Sequence, residues 1–268
     1  SGLRMGEIHM LRTIGAAIVG AALFAGAASA QTYSIGTNPQ GSVFYAAGTA
    51  ISRVMVEKTG LQFRVQPYAG SSTYMPLIDQ GKLAFGMANV GEAAFASSGT
   101  EIYRQPMPNL RMVAITFNNV SGFVVRKDSP IKSIKDLKGK TVPVGFTSGR
   151  IFHYIMNGAL ATEGMTDKDL NGVPTPNFVA GMQLFMSGRA DAAFTAVPAG
   201  ITQQANATIE GGVRFLSTPC DDEAAAKFDK WIPGGVIGKM EPSESRPFIT
   251  ENPTCFTDVP FTVVTGSH

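Results

Sequence analysis

The chain has 268 residues, 44% of them hydrophobic and 16% charged, with a formal net charge of +2. That length and apolar content can bury a full core in one or two lobes, and they exclude a disordered chain or one that spans a membrane along its whole length. The near-neutral balance gives no electrostatic reason to expect a nucleic-acid partner.

Met10-Leu11-Arg12 leads into an apolar run, 14–27, that closes on Ala28-Ser29-Ala30. A basic start, an apolar middle and a small-residue end make a secretory signal, and the run falls short of the about 20 residues that a spanning helix needs. Cleavage is therefore expected near Ala30, with the mature chain starting at Gln31. Residues 1–9 are odd for a leader, because Ser1 is no initiator while Met5 and Met10 are both candidates. Losing residues 1–30 removes Arg4, Arg12 and Glu7, which lowers the net charge by one.

Tyr33-Ser34-Ile35-Gly36-Thr37 reads as a strand, followed by a polar turn with Gly41 and Ser42 and a helix over 43–58 that opens with Val43, Phe44 and Tyr45 and stops at Gly60. A strand feeding a helix start puts free N–H groups and the positive end of a helix dipole in one place, which suits an anionic or strongly polar ligand. An ordinary βα turn has the same look. Residues 62–67 alternate as a strand and run into Gly70-Ser71-Ser72, a second junction of this kind, before a helix over 74–80. A third strand, 82–88, leads to Asn89 and another helix. Strands alternating with helices indicate an α/β architecture with a largely parallel sheet, in which ligands collect at the carboxyl ends of the strands.

Two further β runs, 110–117 and 122–126, precede a basic segment, 126–140, that has no interleaved aromatic residues and reads as a solvated face. The strand 141–146 meets Thr147-Ser148-Gly149-Arg150 ahead of a helix over 151–163. Arg150 carries the charged fork that could hold a carboxylate bidentately; a helix-surface arginine is the alternative. A helix over 180–187 and a strand over 190–196 end at a fourth loop, with Thr195 and Pro198, and a strand at 213–217 and a helix over 221–231 follow. Met75-Pro76-Leu77 with Gly81-Lys82 parallels Met182-Gln183-Leu184 with Gly188-Arg189, each a helix, a glycine plus a base, then a strand. Chance can produce that pattern; two lobes built to one plan, with a cleft between them, would also produce it.

Cys220 and Cys255 are the two cysteines. After export they enter an oxidising compartment where a pair can close a loop, the alternative being two separate buried thiols. Catalytic groupings are sparse. His153 is the histidine available to a Ser/His scheme, and Ser148 sits one place late for a nucleophile elbow, so an exported hydrolase using Ser148 and His153 stands as the enzyme alternative. No zinc spacing, phosphate-binding loop or EF-hand loop is present, and no metal or cofactor is expected.

Ser34-Ile35-Gly36-Thr37 with Gly41-Ser42-Val43-Phe44-Tyr45, the Gly70-Ser71-Ser72 turn, Ile78-Asp79-Gln80-Gly81-Lys82-Leu83-Ala84-Phe85, Ile134-Lys135-Asp136-Leu137-Lys138-Gly139-Lys140, Ser148-Gly149 and Trp231-Ile232-Pro233-Gly234-Gly235 together resemble the TAXI family. These are extracytoplasmic solute receptors of tripartite ATP-independent periplasmic (TRAP) transporters. The resemblance implies a type II periplasmic-binding-protein fold, two α/β lobes on a hinge that close on a small organic acid such as glutamate, 2-oxoglutarate or a related carboxylate. It implies a periplasmic monomer that hands this ligand to membrane subunits, without catalysis. The same fold also serves ABC importers and sensor kinases.

By motif position the ligand set would be Thr37, Gly41, Ser42, Phe44, Tyr45, Gly70, Ser71, Ser72 and Asn89 from the first lobe, facing Thr147, Ser148, Gly149, Arg150, Thr195 and Pro198 from the second. The lobes are expected at 31–118 and 119–259, with 260–268 starting a return crossing to the first lobe. Two departures from the family stand out: Ala84 replaces a usual acidic residue, which Asp191 keeps in the second lobe, and Arg150 occupies a position where threonine is common. Relatives continue beyond residue 268, so the C-terminal part of the fold is expected to be missing and an apolar surface near the hinge to be uncovered.

Overall fold

A computed structural model describes residues 32–268; the signal-like run and the cleavage point expected at Ala30 lie outside the described residues. The first lobe begins with β1 (Thr32–Thr37), α1 (Val43–Thr59), β2 (Gln62–Pro67), α2 (Ser71–Asp79), β3 (Phe85–Asn89) and α3 (Val90–Ser98). Helix α1 starts where Ser42, in an extended conformation, accepts the Tyr45 N–H on its side chain at 3.1 Å, and it ends where Gly60 turns left-handed at φ 71°. Helix α2 starts three residues earlier than the apolar spacing suggests. The Gly70 carbonyl accepts both the N–H and the hydroxyl of Thr73, at 3.0 and 2.6 Å, which draws Ser71 and Ser72 into the first turn.

The chain then enters β4 (Leu110–Arg126), a single strand of 17 residues. The sequence suggests two β runs broken by Asn118-Asn119-Val120-Ser121, but the ladder carries straight through them. Strand β10 (Thr254–Gly266) pairs Asn119 with Val259 and Ser121 with Thr257. The polar groups are partly paired in place: Asn119 donates to the Ser121 hydroxyl at 3.0 Å and the Thr257 hydroxyl donates to the Ser121 carbonyl at 2.9 Å, while Asn119 Oδ1 is buried without a partner.

The second lobe holds β5 (Thr141–Gly145), α4 (Ile151–Ala161), β6 (Asn171–Thr175), α5 (Phe178–Met186), β7 (Ala192–Ala196), α6 (Gly200–Thr208), β8 (Val213–Phe215), α7 (Asp222–Asp229) and β9 (Val236–Met240). The strand order is β2-β1-β3-β10-β4-β7, with β8 on β4 and β9 on β10, beside a separate β5-β6 pair. Strands β1 and β3 are parallel, as are β5 and β6. Against the expectation of a largely parallel sheet, β10 runs antiparallel to β3, β4 and β9, and β4 antiparallel to β7 and β8. The cause is that β4 and β10 are long enough to belong to both lobes: one carries the chain out and the other brings it back, so each meets its neighbours in the reverse sense. The result is a mixed α/β fold whose two lobes share β4 and β10.

Aromatic rings fill the second-lobe end of these two strands. Phe123 and Phe194 meet edge to face with centroids 5.1 Å apart, and Phe215 meets Phe256 at 5.3 Å. Each of these rings is essentially fully buried, a burial that contributes about 1.5–3 kcal/mol apiece. Cys220 and Cys255 form a disulfide with Cα atoms 6.1 Å apart, tying the segment after β8 to β10.

The two passages that look alike in sequence have one geometry. Gly81 and Gly188 are both left-handed, at φ 69° and 76°. The next residues, Lys82 and Arg189, donate their N–H groups back to Leu77 and Leu184, at 2.8 and 3.0 Å. A glycine without Cβ adopts this helix-ending conformation at little cost, and the two carbonyls it exposes are satisfied from the chain just beyond.

Over its first half β4 pairs with β10 alone among the described residues. Its other edge has no partner strand among the described residues, and the side chains of Met112, Val113, Ile115 and Phe117 beside it are all exposed. An open edge of this kind is a template for pairing with another strand.

Candidate functional site

The polar strand-end loops of the two lobes meet each other. The Gly41 carbonyl accepts the Ile201 N–H at 3.0 Å. The Ser72 hydroxyl accepts the Arg150 N–H at 3.1 Å, and the Asn177 amide donates to the Ala69 carbonyl at 2.7 Å. Gly70 lies directly against Ser148: a Cβ built on it would stand 2.0 Å from the Ser148 carbonyl oxygen. Gly70 is extended, at φ 176°, a conformation open to any residue, so the demand for glycine here comes from the close approach of the other lobe.

Behind this contact is a cavity of about 10 Å³, room for about one water molecule. From the first lobe Asn38, Ser42, Val43 and Phe44 line it, and from the second Phe152, Phe178 and Ala196, with Phe261 of β10 between. The rings pack closely, with Phe44 and Phe261 centroids 4.4 Å apart and Phe152 and Phe178 4.6 Å apart. The start of α1 opens onto this cavity. Val43 and Phe44 are the first residues of the helix, so their N–H groups have no acceptor within it. Larger hollows lie elsewhere, around Arg126 and Asp128 and between Phe95, Glu101, Tyr154 and Trp231. They are open surface, and the cavity at the α1 start is the better candidate because a helix start opens onto it.

Of the residues singled out from sequence, the structure gathers Ser42 and Phe44 at the cavity and Gly41, Gly70, Ser72, Ser148 and Arg150 at the lobe contact around it. Thr37 is fully buried on the α1 side of β1, with its hydroxyl unpaired. Tyr45 is half-buried on α1, and Thr147 and Pro198 are exposed. Gly149 is buried and donates its N–H to Phe146 at 2.9 Å, which turns the chain into α4. Thr195 is buried against the Thr202 hydroxyl at 3.1 Å, inside the second lobe. Asn89 caps α3 by accepting the Glu92 N–H at 2.8 Å. The Arg150 guanidinium donates to the Ile102 carbonyl of the opposite lobe. His153 lies with Nδ1 3.4 Å from Asp167 and 3.3 Å from the Asn157 amide, and no hydrogen bond among the described residues joins it to Ser148.

Six cavity residues, Asn38, Val43, Phe152, Phe178, Ala196 and Phe261, and one neighbour lie outside the sequence-derived set. Phe152, Phe178 and Phe261 have the apolar spacing of ordinary core residues, and nothing local marks them as cavity walls. Asn38 sits in the first βα turn, where any polar residue would be at home. The neighbour is Glu92, which is fully buried with Tyr103 donating to it at 3.0 Å and Ser72 at 3.3 Å. The spacing Asn89-x-x-Glu92, a helix cap followed by an acid in the first turn, was its available signal.

Burial pushes the Glu92 carboxyl above its usual range, opposed by the nearby hydroxyls of Ser71, Tyr103 and Ser72. A carboxyl raised in the folded state binds more protons folded than unfolded, so stability falls as pH rises from the unfolded to the folded value. Glu92→Gln keeps an acceptor for Tyr103 and removes the buried charge. The variant is expected to unfold at a higher temperature than the parent at neutral pH, with the difference vanishing below the ordinary glutamate range. Melting curves across that pH range check this, and a variant less stable at neutral pH would refute it.

The sequence matches the NMT1-like family over residues 35–237. The chain belongs to that family. Solved structures similar in fold include one titled a periplasmic transporter, at 15% identity and a TM-score of 0.58, covering 90% of this chain and 78% of that one. The substrate binding protein of an amino acid ABC transporter aligns at 12% identity and a TM-score of 0.50, covering 88% and 85%. The VFT2 domain of Bordetella pertussis BvgS aligns at 14% and 0.50, covering 88% and 80%. At these identities the likeness concerns the fold. This NMT1-like chain therefore carries its helix starts and its cavity in the cleft of a periplasmic-binding-protein architecture.

Proposed function

We propose that this protein is a periplasmic solute receptor that binds a small organic acid between its lobes and delivers it to a TRAP transporter, without chemical change to the ligand. The observation that carries this reading is that strand-end loops of two α/β lobes meet, Gly70 against Ser148 and Ser72 against Arg150, while the α1 start opens onto a cavity lined from both lobes. Free N–H groups at a helix start favour a carboxylate, and a ligand favours the closed arrangement only through contacts it gains there. Family membership and fold are in keeping with a binder. The TRAP partner rests on the sequence resemblance to TAXI receptors; the ABC importer and sensor kinase alternatives share the fold.

Screening amino acids and carboxylates by thermal shift is expected to give a saturable rise in unfolding temperature with at least one acid, recovered unchanged by mass spectrometry. Conversion of that acid would favour the hydrolase alternative using Ser148 and His153. No response to any acid would refute the receptor reading.

A further inference from the structure

Arg150 grips the first lobe at two places. Its backbone N–H donates to the Ser72 hydroxyl in the first turn of α2, and its guanidinium donates to the Ile102 carbonyl in the loop after α3. Both places are tied to one side chain. The Ser72 hydroxyl donates to Glu92 Oε1 at 3.3 Å, and Tyr103, the residue after Ile102, donates its hydroxyl to the same oxygen at 3.0 Å. Resting on the receptor reading above, we infer that Glu92 is a positioning residue for lobe closure: it presents the two first-lobe acceptors that Arg150 engages when the lobes meet.

A serine hydroxyl has a single hydrogen. With that hydrogen drawn to Glu92, a lone pair is left for the Arg150 N–H; without Glu92 the hydroxyl turns freely and the acceptor is no longer set. Tyr103 acts in the same way at Ile102, because a buried ring anchored at its hydroxyl fixes the backbone beside it. Two further contacts put this network at the boundary of the lobes. A Cβ on Gly91, the residue before Glu92, would stand 3.2 Å from the Ile232 side chain of the second lobe. Tyr154, one turn beyond Arg150 on α4, bonds through its hydroxyl to Glu101, next to Ile102. Glu92 is a costly way to fill a core position, being fully buried with Oε2 unpaired. A leucine would fill the same space without that cost and without an acceptor, so the contribution of the carboxyl lies in what it orients.

Isothermal titration of the parent, Glu92→Leu, Glu92→Gln and Tyr103→Phe tests this. The probe is the tightest binder among L-glutamate, 2-oxoglutarate and L-leucine, or the best acid of the wider screen should none of these bind. Glu92→Leu is expected to weaken binding about tenfold, the scale of one to two hydrogen bonds. Glu92→Gln keeps an oxygen for both hydroxyls and is expected to stay within about twofold of the parent. Hydrogen exchange in the probe-saturated proteins gives a readout that a purely structural role would leave alone. The Arg150 amide, whose acceptor is Ser72, is expected to exchange about tenfold faster in Glu92→Leu and at the parent rate in Glu92→Gln. Should Glu92→Leu fold poorly, Tyr103→Phe removes one hydroxyl while keeping the ring, and is expected to weaken binding about threefold. Parent-like affinity in Glu92→Leu or Tyr103→Phe would overturn this inference and leave the receptor reading standing. So would an Arg150 amide as protected in Glu92→Leu as in the parent, or a Glu92→Gln protein as weak as Glu92→Leu. Binding of none of the three by the parent, together with no response in the wider acid screen, would overturn both.

Discussion

Replacing Gly70 with valine is expected to weaken ligand binding by roughly 5- to 150-fold, the equivalent of the about 1–3 kcal/mol that overpacking costs. At Gly70 a Cβ would meet backbone atoms of the opposite lobe, Ser148 O at 2.0 Å, Ser148 C at 2.3 Å and Gly149 N at 2.6 Å. Backbone cannot swing aside as the tip of a side chain can. The penalty falls on the closed arrangement and not on the first lobe itself, because the obstacle belongs to the second lobe and Gly70 is in an extended conformation that valine adopts readily. Apparent affinity then falls by the fraction of molecules still able to close. Titration with the best ligand measures the loss, and melting curves check that the variant stays folded. An unchanged dissociation constant in a folded Gly70→Val protein would show that binding does not require the loops to meet as they do here.

The second large effect concerns the Cys220–Cys255 bridge. It closes a loop of 35 residues, and loop-closure entropy for that length gives about 3–4 kcal/mol of stabilisation. Cys255 is fully buried near the start of β10, where that strand pairs with β9, so the bridge holds the segment after β8 onto the strand that links the two lobes. The Cys220→Ser, Cys255→Ser double variant is expected to lose about 3–4 kcal/mol in denaturant unfolding. A midpoint and slope equal to those of the parent would show that the unfolded chain is not restrained by the bridge in the way loop closure requires.

Much of the fold can be read from the residues. Ser42 before an apolar helical repeat and Gly60 after it bracket α1 because capping and left-handed termination are local properties. The Gly81 and Gly188 passages repeat for the same reason, and both glycines take the left-handed conformation. The parts that escape the sequence are those settled at long range. Asn118 to Ser121 read as a break in β4 because their polar side chains give no apolar alternation; their partners on β10 lie well over a hundred residues away. The antiparallel sense of β4 and β10 follows from their passing through both lobes, which no local pattern records.

The candidate site divides along the same line. Ser42, Gly70 and Ser148 are visible as strand-to-helix turns, a feature of chain direction. The aromatic wall is not, since Phe152 on α4 and Phe178 on α5 carry the same apolar spacing whether they face a core or a cleft. Arg150 has the right position at a helix start, but its long side chain reaches across to Ile102, a destination set by the packing of the lobes. Glu92 and Asn38 are ordinary polar residues in sequence and become notable only when burial leaves Asn38 Oδ1 unpaired and raises the Glu92 carboxyl.

Central to this account is a receptor whose lobes close on an unaltered ligand through the contact between the Gly70 and Ser148 loops. Small-angle X-ray scattering of the protein with and without its best ligand, run beside Gly70→Val, tests that most directly. The account predicts that saturating ligand reduces the radius of gyration of the parent protein and that Gly70→Val stays expanded at the same ligand concentration. A radius that does not change on saturation, or that contracts equally in parent and variant, would contradict it.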